Sequence, residues 1–508
     1  MAPIIESAGD TGRDFPSKLT LQVVVCSLIA AVGGFMFGYD IGISGGVTSM
    51  DDFLLKFFHR VYEKKHRARE DNYCKFDDQL LQLFTSSLYL SAVVCCWVAS
   101  FTCKRYGRKR TMQMAASFFF VGAALNAAAV NLHMLIAGRI LLGAGVGFGN
   151  QAVPLFISEI APAKHRGMLN ICFQLLITVG ILVANLINYW TSGIPGHGWR
   201  ISLGLAAVPA VVLGLGSILI SETPTSLVER GRKEEGLKSL RRIRGVDDVQ
   251  KEFDEIVEAT DVANQIKHPF RNLKRRSSWP MLFCSIALQI FQQFTGINVI
   301  MFYAPVLFQT MGLGSDAALM SAVITGCINS ASTLVAVFGV DRFGRRKLLI
   351  QAAAQMLVSQ VIVGVILQVF LKASNSIPRW YAYVVVALIC VFVMGFAWSW
   401  GPLGWLIPSE IFPLETRTAG FFCAVSTNMI FTFIIAQAFL TMLCHMKAAI
   451  FFFFAAWIVV MGAFAIFLLP ETKGIPIDKM SQVWSQHWFW RTFFDSLPTS
   501  SIQPPTTN

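Results

Sequence analysis

Two charged residues stand inside long apolar stretches: Asp40 in GGFMFGYDIGISGG and Arg139 in LHMLIAGRILLGAGVG. Charge in a hydrocarbon environment is costly, so such residues pair with one another or mark ion and proton paths. Opposite charges in adjacent hydrophobic helices pair most economically with each other. A carboxyl whose proton affinity depends on its distance from an arginine can carry a proton. The same two charges can also form a static pair that orients two helices, and the residue types leave both readings open.

A second set is polar and uncharged. Gln174 lies in one apolar run, Gln292, Gln293 and Asn298 lie in IFQQFTGINVIMFYAP, Asn329 lies in another run, and Asn428 and Thr432 lie one turn apart in a third. Amides facing lipid would be poorly satisfied, so the set is expected to face an interior. Side-chain amides both donate and accept hydrogen bonds, which suits a neutral polyhydroxylated molecule and equally suits bonding between helices. On an ideal helix Gln293 and Asn298 point about 140° apart, so both reach one ligand only if the helix breaks near Gly296. WSWGPLGW (398–405) places aromatic planes beside a Gly-Pro break, where Trp405 can stack on an apolar sugar face. The glycines around Asp40 and after Arg139 read as helix packing; GAGVGFG lacks the Lys-Ser/Thr ending of a phosphate loop.

The elements that must position these residues follow from composition. Of 508 residues 54% are hydrophobic and 14% charged, with a mean hydropathy of +0.56. That is too little polar surface for a soluble enzyme, a disordered chain or a secreted disulfide scaffold. A helical span needs about 20 mostly apolar residues. Twelve such runs occur, near 20–45, 81–103, 111–131, 134–156, 169–191, 201–221, 280–302, 318–340, 348–371, 381–405, 419–441 and 447–469. The runs lack the alternation of membrane β-strands. The fold class is an all-α polytopic membrane protein. The first run is too long for a signal-peptide core and has no convincing cleavage site, so it is expected to remain as the first span. CKRYGRKR, DRFGRRK and the RRIRG and NLKRRSS stretches all follow even-numbered spans, which places those loops and both termini in the cytoplasm.

Three patterns occur twice. Arg105-Tyr-Gly-Arg108 returns as Arg342-Phe-Gly-Arg345; Ser158-Glu159-Ile-x-Pro-x-x-x-Arg166 returns as Ser409-Glu410-Ile-x-Pro-x-x-x-Arg417; and Glu222-Thr-Pro answers Pro-Glu471-Thr-Lys. Each copy recurs six spans later on the same side, a parallel repeat of two halves with a site between them. The organisation is therefore a cytoplasmic N-terminus (1–19), a first half (20–221) with an extracellular lid loop (46–80), a helical cytoplasmic linker (222–279), a second half (280–470) and a cytoplasmic tail (471–508), whose end, 495–508, reads as disordered. The linker is a connector or, alternatively, a regulatory surface. Arg105, Arg108, Glu159, Arg166, Glu222, Arg342, Arg345, Glu410, Arg417 and Glu471 are expected to latch the halves at the inner face through ion pairs, or to serve only topology and surface anchoring. Of eleven cysteines, Cys74 and Cys444 fall outside the cytosolic and membrane zones. A bridge between them is redox-permitted, although sequence does not supply the Cα separation it needs. The eight His show no metal-ligand spacing, and no nucleophile motif is present.

Together, the repeated R-x-G-R, the SEI-x-P-x-x-x-R pair, SETPTSL, QQFTGIN, WGPLGWLIPSE and PETKG resemble the sugar porter family of the major facilitator superfamily, over roughly residues 20–485. Within it, GGFMFGYDIGISGGVTSMDDF, the long first outside loop and TMLCHMK resemble the plant monosaccharide–proton symporters, the sugar transport proteins. The resemblance implies twelve helices in the major facilitator fold and alternating access. It implies proton coupling at Asp40 with Arg139 as partner and Phe37 relaying sugar binding to them. It implies hexose contacts at Gln174, Gln292, Gln293, Asn298, Asn329, Trp405 and Asn428, with Thr432 nearby, and a Cys74–Cys444 bridge closing the lid. The expected activity is proton-coupled hexose import across the plasma membrane, with no cofactor beyond the coupling proton, no metal, no nucleic acid and no obligate protein partner. A facilitative sugar carrier and a sugar sensor signalling through 222–279 are the competing readings; a membrane enzyme lacks any catalytic constellation.

Overall fold

A computed structural model describes residues 19–66, 74–162, 165–265, 272–273, 275–310, 315–373, 379–473, 475 and 480–494. The expected N-terminal segment up to residue 18 and the expected disordered end 495–508 lie outside the described residues.

The first half contains α1 (Leu21–Val47), the lid helices α2 (Asp51–Phe57) and α3 (His59–His66), then α4 (Gln79–Tyr106), α5 (Arg108–Ala128), α6 (Leu132–Ile160), α7 (Arg166–Thr191), α8 (Gly198–Gly204) and α9 (Ala207–Leu219). Helix starts follow local chemistry: Thr20, Asp78 and Asn131 accept backbone N–H groups at the N-termini of α1, α4 and α6, filling donors that the first turn leaves unpaired. The glycines of α1 recur every four residues on the face packed against α7. A Cβ at Gly38 would sit 1.9 Å from the Ile177 carbonyl oxygen, so only small residues let the two backbones meet so closely.

The linker supplies α10 (Pro224–Glu229), α11 (Lys233–Arg244) and α12 (Gln250–Gln265). In α11, Glu234 and Glu235 occupy the first turn and Arg241, Arg242 and Arg244 the last, with left-handed Gly245 ending it; both charge placements complement the helix dipole. Val228, Leu240, Val249 and Phe253 give these helices a small core of their own.

The second half contains α13 (Trp279–Phe294), α14 (Ile297–Thr310), α15 (Ser315–Phe343), α16 (Arg345–Ala373), α17 (Arg379–Ala397), α18 (Trp400–Ile411), α19 (Leu414–Met446) and α20 (Ala449–Phe467), followed by a short α21 (Met480–Gln486). No strand occurs among the described residues. Among the described residues eleven helices are long and apolar enough to cross a membrane; the twelfth expected span, 280–302, is instead the broken pair α13 and α14. The sixth and tenth spans also change helix part-way, at α8/α9 and α17/α18.

The chain reversal at each R-x-G-R motif has the same construction. Gly107 and Gly344 have φ of +94° and +89°, values that favour glycine. At the helix each one starts, a distant glutamate serves as the cap. Glu222 accepts the N–H groups of Arg108 (3.1 Å) and Lys109 (3.3 Å), while Glu471 accepts those of Arg345 (2.9 Å) and Arg346 (3.0 Å). The third of the sequence repeats, Glu222-Thr-Pro and Pro-Glu471-Thr-Lys, is thus a repeated helix cap, placing negative charge at the positive end of a helix dipole.

Candidate functional site

Asp40 and Arg139 meet on α1 and α6. Arg139 Nη1 lies 2.5 Å from Asp40 Oδ1, with the two side chains 0% and 1% exposed. The guanidinium is held from several directions: Nε donates to the Phe84 carbonyl (3.0 Å), Nη2 to Ser44 Oγ (2.8 Å) and the Thr85 carbonyl (3.4 Å). Its carbon also sits 4.7 Å from the centroid of the Phe84 ring. Asp40 Oδ2, by contrast, is buried with no hydrogen-bond partner among the described residues. The arginine is anchored independently of the carboxyl, and the second carboxyl oxygen is available to take a proton. Phe37, nearly one turn before Asp40, packs edge-on against Tyr89 at 6.4 Å.

The amides gather where two helices break. Between α13 and α14, Gly296 has φ of +84° and Thr295 Oγ1 accepts the Ile297 N–H at 3.2 Å. That turn brings Asn298 back to Gln293, and its Nδ2 donates to Gln293 Oε1. Between α17 and α18, Ser399 leaves helical geometry (φ −136°, ψ −88°). Gln292 Nε2 donates to the Trp400 and Gly401 carbonyls (3.1 and 2.9 Å), and Gln289 Nε2 to the Gly404 carbonyl (2.5 Å). Asn428 Nδ2 on α19 closes the group by donating to Gln289 Oε1 (2.7 Å) and Gln292 Oε1 (2.6 Å).

The first half borders this group. A Cβ placed on Gly401 would lie 3.4 Å from Gln174 Nε2, and Trp405 packs edge-on against Phe173 at 5.7 Å. Two expected residues stand apart. Thr432 gives its hydroxyl to the Asn428 carbonyl of its own helix (2.8 Å), and Asn329 Nδ2 approaches Met301 Sδ at 3.7 Å rather than another amide. Gln289 was missed in the sequence, although its spacing of three and four residues from Gln292 and Gln293 places it on their helix face.

At the face expected to lie outside, Cys74 and Cys444 form a disulfide with a Cα separation of 4.6 Å. Beside it, Thr441 of α19 donates to Asp77 (2.7 Å) and accepts from Gln79 (3.0 Å) and Gln82 (3.1 Å), and Ser86 donates to Gln437 (2.5 Å). The lid rests on the same region, with Phe53 against Phe84 and Trp199 (5.2 and 5.9 Å).

At the face expected to lie inside, Glu159 and Glu410 each have an arginine partner in their own half. Arg108 pairs with Glu159 and with Glu229 of the linker, both at 2.7 Å, while Arg345 pairs with Glu410 at 3.3 Å and Asp341 at 3.1 Å. Crossing the halves, Arg417 Nη2 donates to Ser158 Oγ at 2.9 Å and Asn170 to Ser409 Oγ at 2.7 Å. The charges also face each other crosswise, Arg417 acting on Glu159 and Arg166 on Glu410. Arg105 and Arg342 stay outside the cluster, exposed and lying over the rings of Tyr106 and Phe343. The glycine reversal leaves the first arginine of each motif on the outgoing helix and turns only the second inward.

Among the described residues, eleven apolar helices and the broken pair α13/α14, arranged in two halves with a helical linker, cross-half contacts at both faces and a polar centre between them, define a multi-pass membrane transporter. The family model described as "Sugar (and other) transporter" matches residues 26–484, and the chain belongs to that family. It is 61% identical to Sugar transport protein 8 of Arabidopsis thaliana over 494 residues, 97% of each chain. It is 58% identical to Sugar transport protein MST4 of Oryza sativa subsp. japonica, covering 98% of this chain and 97% of the relative. The major facilitator superfamily proton:xylose symporter XylE, bound to 6-bromo-6-deoxy-D-glucose, superposes with a TM-score of 0.78 at 25% identity, covering 92% of this chain and 100% of that one. The inward open conformation of XylE from E. coli gives 0.70 at 25% identity, covering 91% and 100%.

Proposed function

We propose that this sugar transporter is a proton-coupled symporter that imports hexoses such as glucose across the plasma membrane, with both termini cytoplasmic. The observation that carries the reading is the Asp40–Arg139 pair: a carboxyl enclosed in apolar spans, bound through one oxygen to an arginine that is separately anchored. A facilitative carrier has no need of such a pair. Protonation of Asp40 from outside releases it from Arg139 and favours tight sugar binding facing outward; loss of the proton inside restores the pair and weakens the site. The pair's location on α1 and α6, with Phe37 beside it on the helix that packs along α7, connects the proton to the half that carries Gln174. The amide group of Gln292, Gln293, Asn298 and Asn428, with Gln174 and Trp405 at its border, exchanges its mutual hydrogen bonds for bonds to sugar hydroxyls. Asn329 and Thr432 join only if the helices carrying them move. The proton xylose symporter XylE, similar across the fold, supports the same class of coupling.

The experiment is sugar-evoked current in a voltage-clamped cell or proteoliposome at acidic outside pH, with a panel of competing monosaccharides. Inward current that follows the proton gradient and is competed by hexoses is the expected result. Uptake without current and insensitive to the gradient makes the protein a facilitative carrier instead.

A further inference from the structure

Outside the sugar site, a cleft of about 440 Å³ lies on the inner side of the first half, between the α4–α5 turn, the end of α9 and the linker helices α10 and α11. Six cations line it: Lys109, Arg110, Arg230, Arg232, Lys238 and Arg242. Its two acids are already engaged. Glu222 caps α5 and lies 3.5 Å from Arg230, and Glu235 pairs with Arg232 at 2.6 Å. Among the described residues no carboxylate pairs with Lys109, Arg110, Lys238 or Arg242. On α11, Lys238 and Arg242 are four residues apart and so share a face. Arg230 is fixed against the cleft wall by bonds to the Ser226 and Tyr106 carbonyls, both 3.0 Å. Burial lowers its pKa from the ordinary guanidinium value, and the charges of Arg232, Arg108 and Arg110 act in the same direction against Glu222. The cleft is a concave region of uncompensated positive charge assembled from separate chain segments, which goes beyond the scattered basic residues that topology requires.

Its mouth meets the lipid-facing surface. Lys109 Nζ donates to the Ile218 carbonyl at 3.0 Å, and Ile218 and Leu219 at the end of α9 are 61% and 72% exposed. We propose that this cleft binds a ligand carrying several phosphate groups, the chemistry shared by a phosphoinositide headgroup and a soluble phosphorylated metabolite. Arginine forks and lysine point charges match phosphate oxygens, and the exposed end of α9 gives acyl chains a surface beside the headgroup. Bound there, the ligand bridges α5 to α11 and neutralises cations next to the Arg108 cluster, holding the linker against the first half.

The test uses purified full-length protein in phosphatidylcholine nanodiscs with or without phosphatidylinositol bisphosphate, and in detergent with inositol trisphosphate, binding being read by native mass spectrometry and titration. A triple variant, Arg110→Gln, Lys238→Gln and Arg242→Gln, is compared with a control, Lys104→Gln, Arg241→Gln and Lys251→Gln, that removes the same charge outside the cleft. We expect binding of at least one probe, weakened about a hundredfold in the cleft variant, from three charges of the size each contributes near an anionic surface, and unchanged in the control. Retention of the lipid alone identifies a headgroup site, and binding of both probes or of the soluble one identifies a site open to metabolites. Binding of neither, or an equal loss in the control, overturns the proposal.

Discussion

Arg417 of the second half donates to the Ser158 hydroxyl of the first, 2.9 Å across the inner face, and also to the Ser409 carbonyl of its own half at 3.1 Å. One guanidinium thus joins the two copies of the repeated Ser-Glu motif. A charge-assisted bond of this kind contributes about 1.5–3 kcal/mol, and it exists only while the inner ends stay together. Contacts confined to one conformation bias the equilibrium toward it. Arg417→Ala is therefore expected to favour the inward-open state, read as faster hydrogen–deuterium exchange at the inner ends of α6, α7 and α18. Unchanged exchange there would show that the contact does not hold the face closed.

Asp40→Asn keeps the shape but cannot gain and lose the proton. Accumulation against a gradient should vanish, while sugar exchange across proteoliposomes persists at a measurable rate. A variant that still concentrates sugar would place the proton elsewhere.

Asn428→Ala removes the donor shared by Gln289 and Gln292 and leaves buried amide oxygens unpaired. It also removes an amide that the proposed site offers to a sugar hydroxyl; a hydrogen bond is worth about 0.5–1.5 kcal/mol, so KM for hexose uptake should rise up to roughly tenfold. Thr432→Val, at a hydroxyl spent on its own helix, should change KM far less. Equal effects would mean that the amide group is structural.

Gly107→Ala tests the helix reversal. Its backbone (φ +94°, ψ 169°) lies in a region essentially reserved for glycine, at a cost of about 1–3 kcal/mol for other residues. The added Cβ would also meet Glu222 Oε2 at 2.1 Å. Lower thermal stability in detergent is expected, with Gly344→Ala behaving alike because Glu471 stands 2.8 Å from the corresponding position.

Cys74→Ser, or treatment with a reductant, releases a link spanning 370 residues of sequence. Loss of a native disulfide typically costs about 2–5 kcal/mol, so the melting temperature should fall, and reductant should add nothing further in the variant. A melting temperature insensitive to both would mean that the bridge contributes no stability.

Much of this architecture is legible in the chain because membranes impose simple rules. Apolar length marks the spans, and an ionisable residue inside one stands out, which is why Asp40 and Arg139 can be paired before any coordinates. The break at Gly296 is also readable, since Gln293 and Asn298 cannot otherwise converge. Other features lack a sequence signal. Spacing puts Gln289 on the helix face of Gln292 and Gln293, but nothing in the chain announces its bond to the Gly404 carbonyl. Arg105 and Arg108 look equivalent in the repeat, and only the backbone reversal between them sends one out and the other in. The inner cluster likewise draws on Glu229 and Asp341, which no repeated motif marks. The aromatic segment after α21 forms a short 3-10 turn and is anchored by Trp490 Nε1, which donates to the Leu468 carbonyl at 2.7 Å, a tertiary contact that no motif announces.

The outer disulfide also has a mechanical meaning. Between Cys74 and Gln79, the first residue of α4, lie only Lys75, Phe76, Asp77 and Asp78, five backbone steps that fully extended reach about 17 Å. Cys444 sits near the end of α19, so this short strap fixes the maximum stroke between the outer ends of α4 and α19. The entrance can widen until the strap is taut and no further, whatever sugar or proton is present. The amplitude of opening is thus written into a loop length, separately from the chemistry that decides when opening occurs.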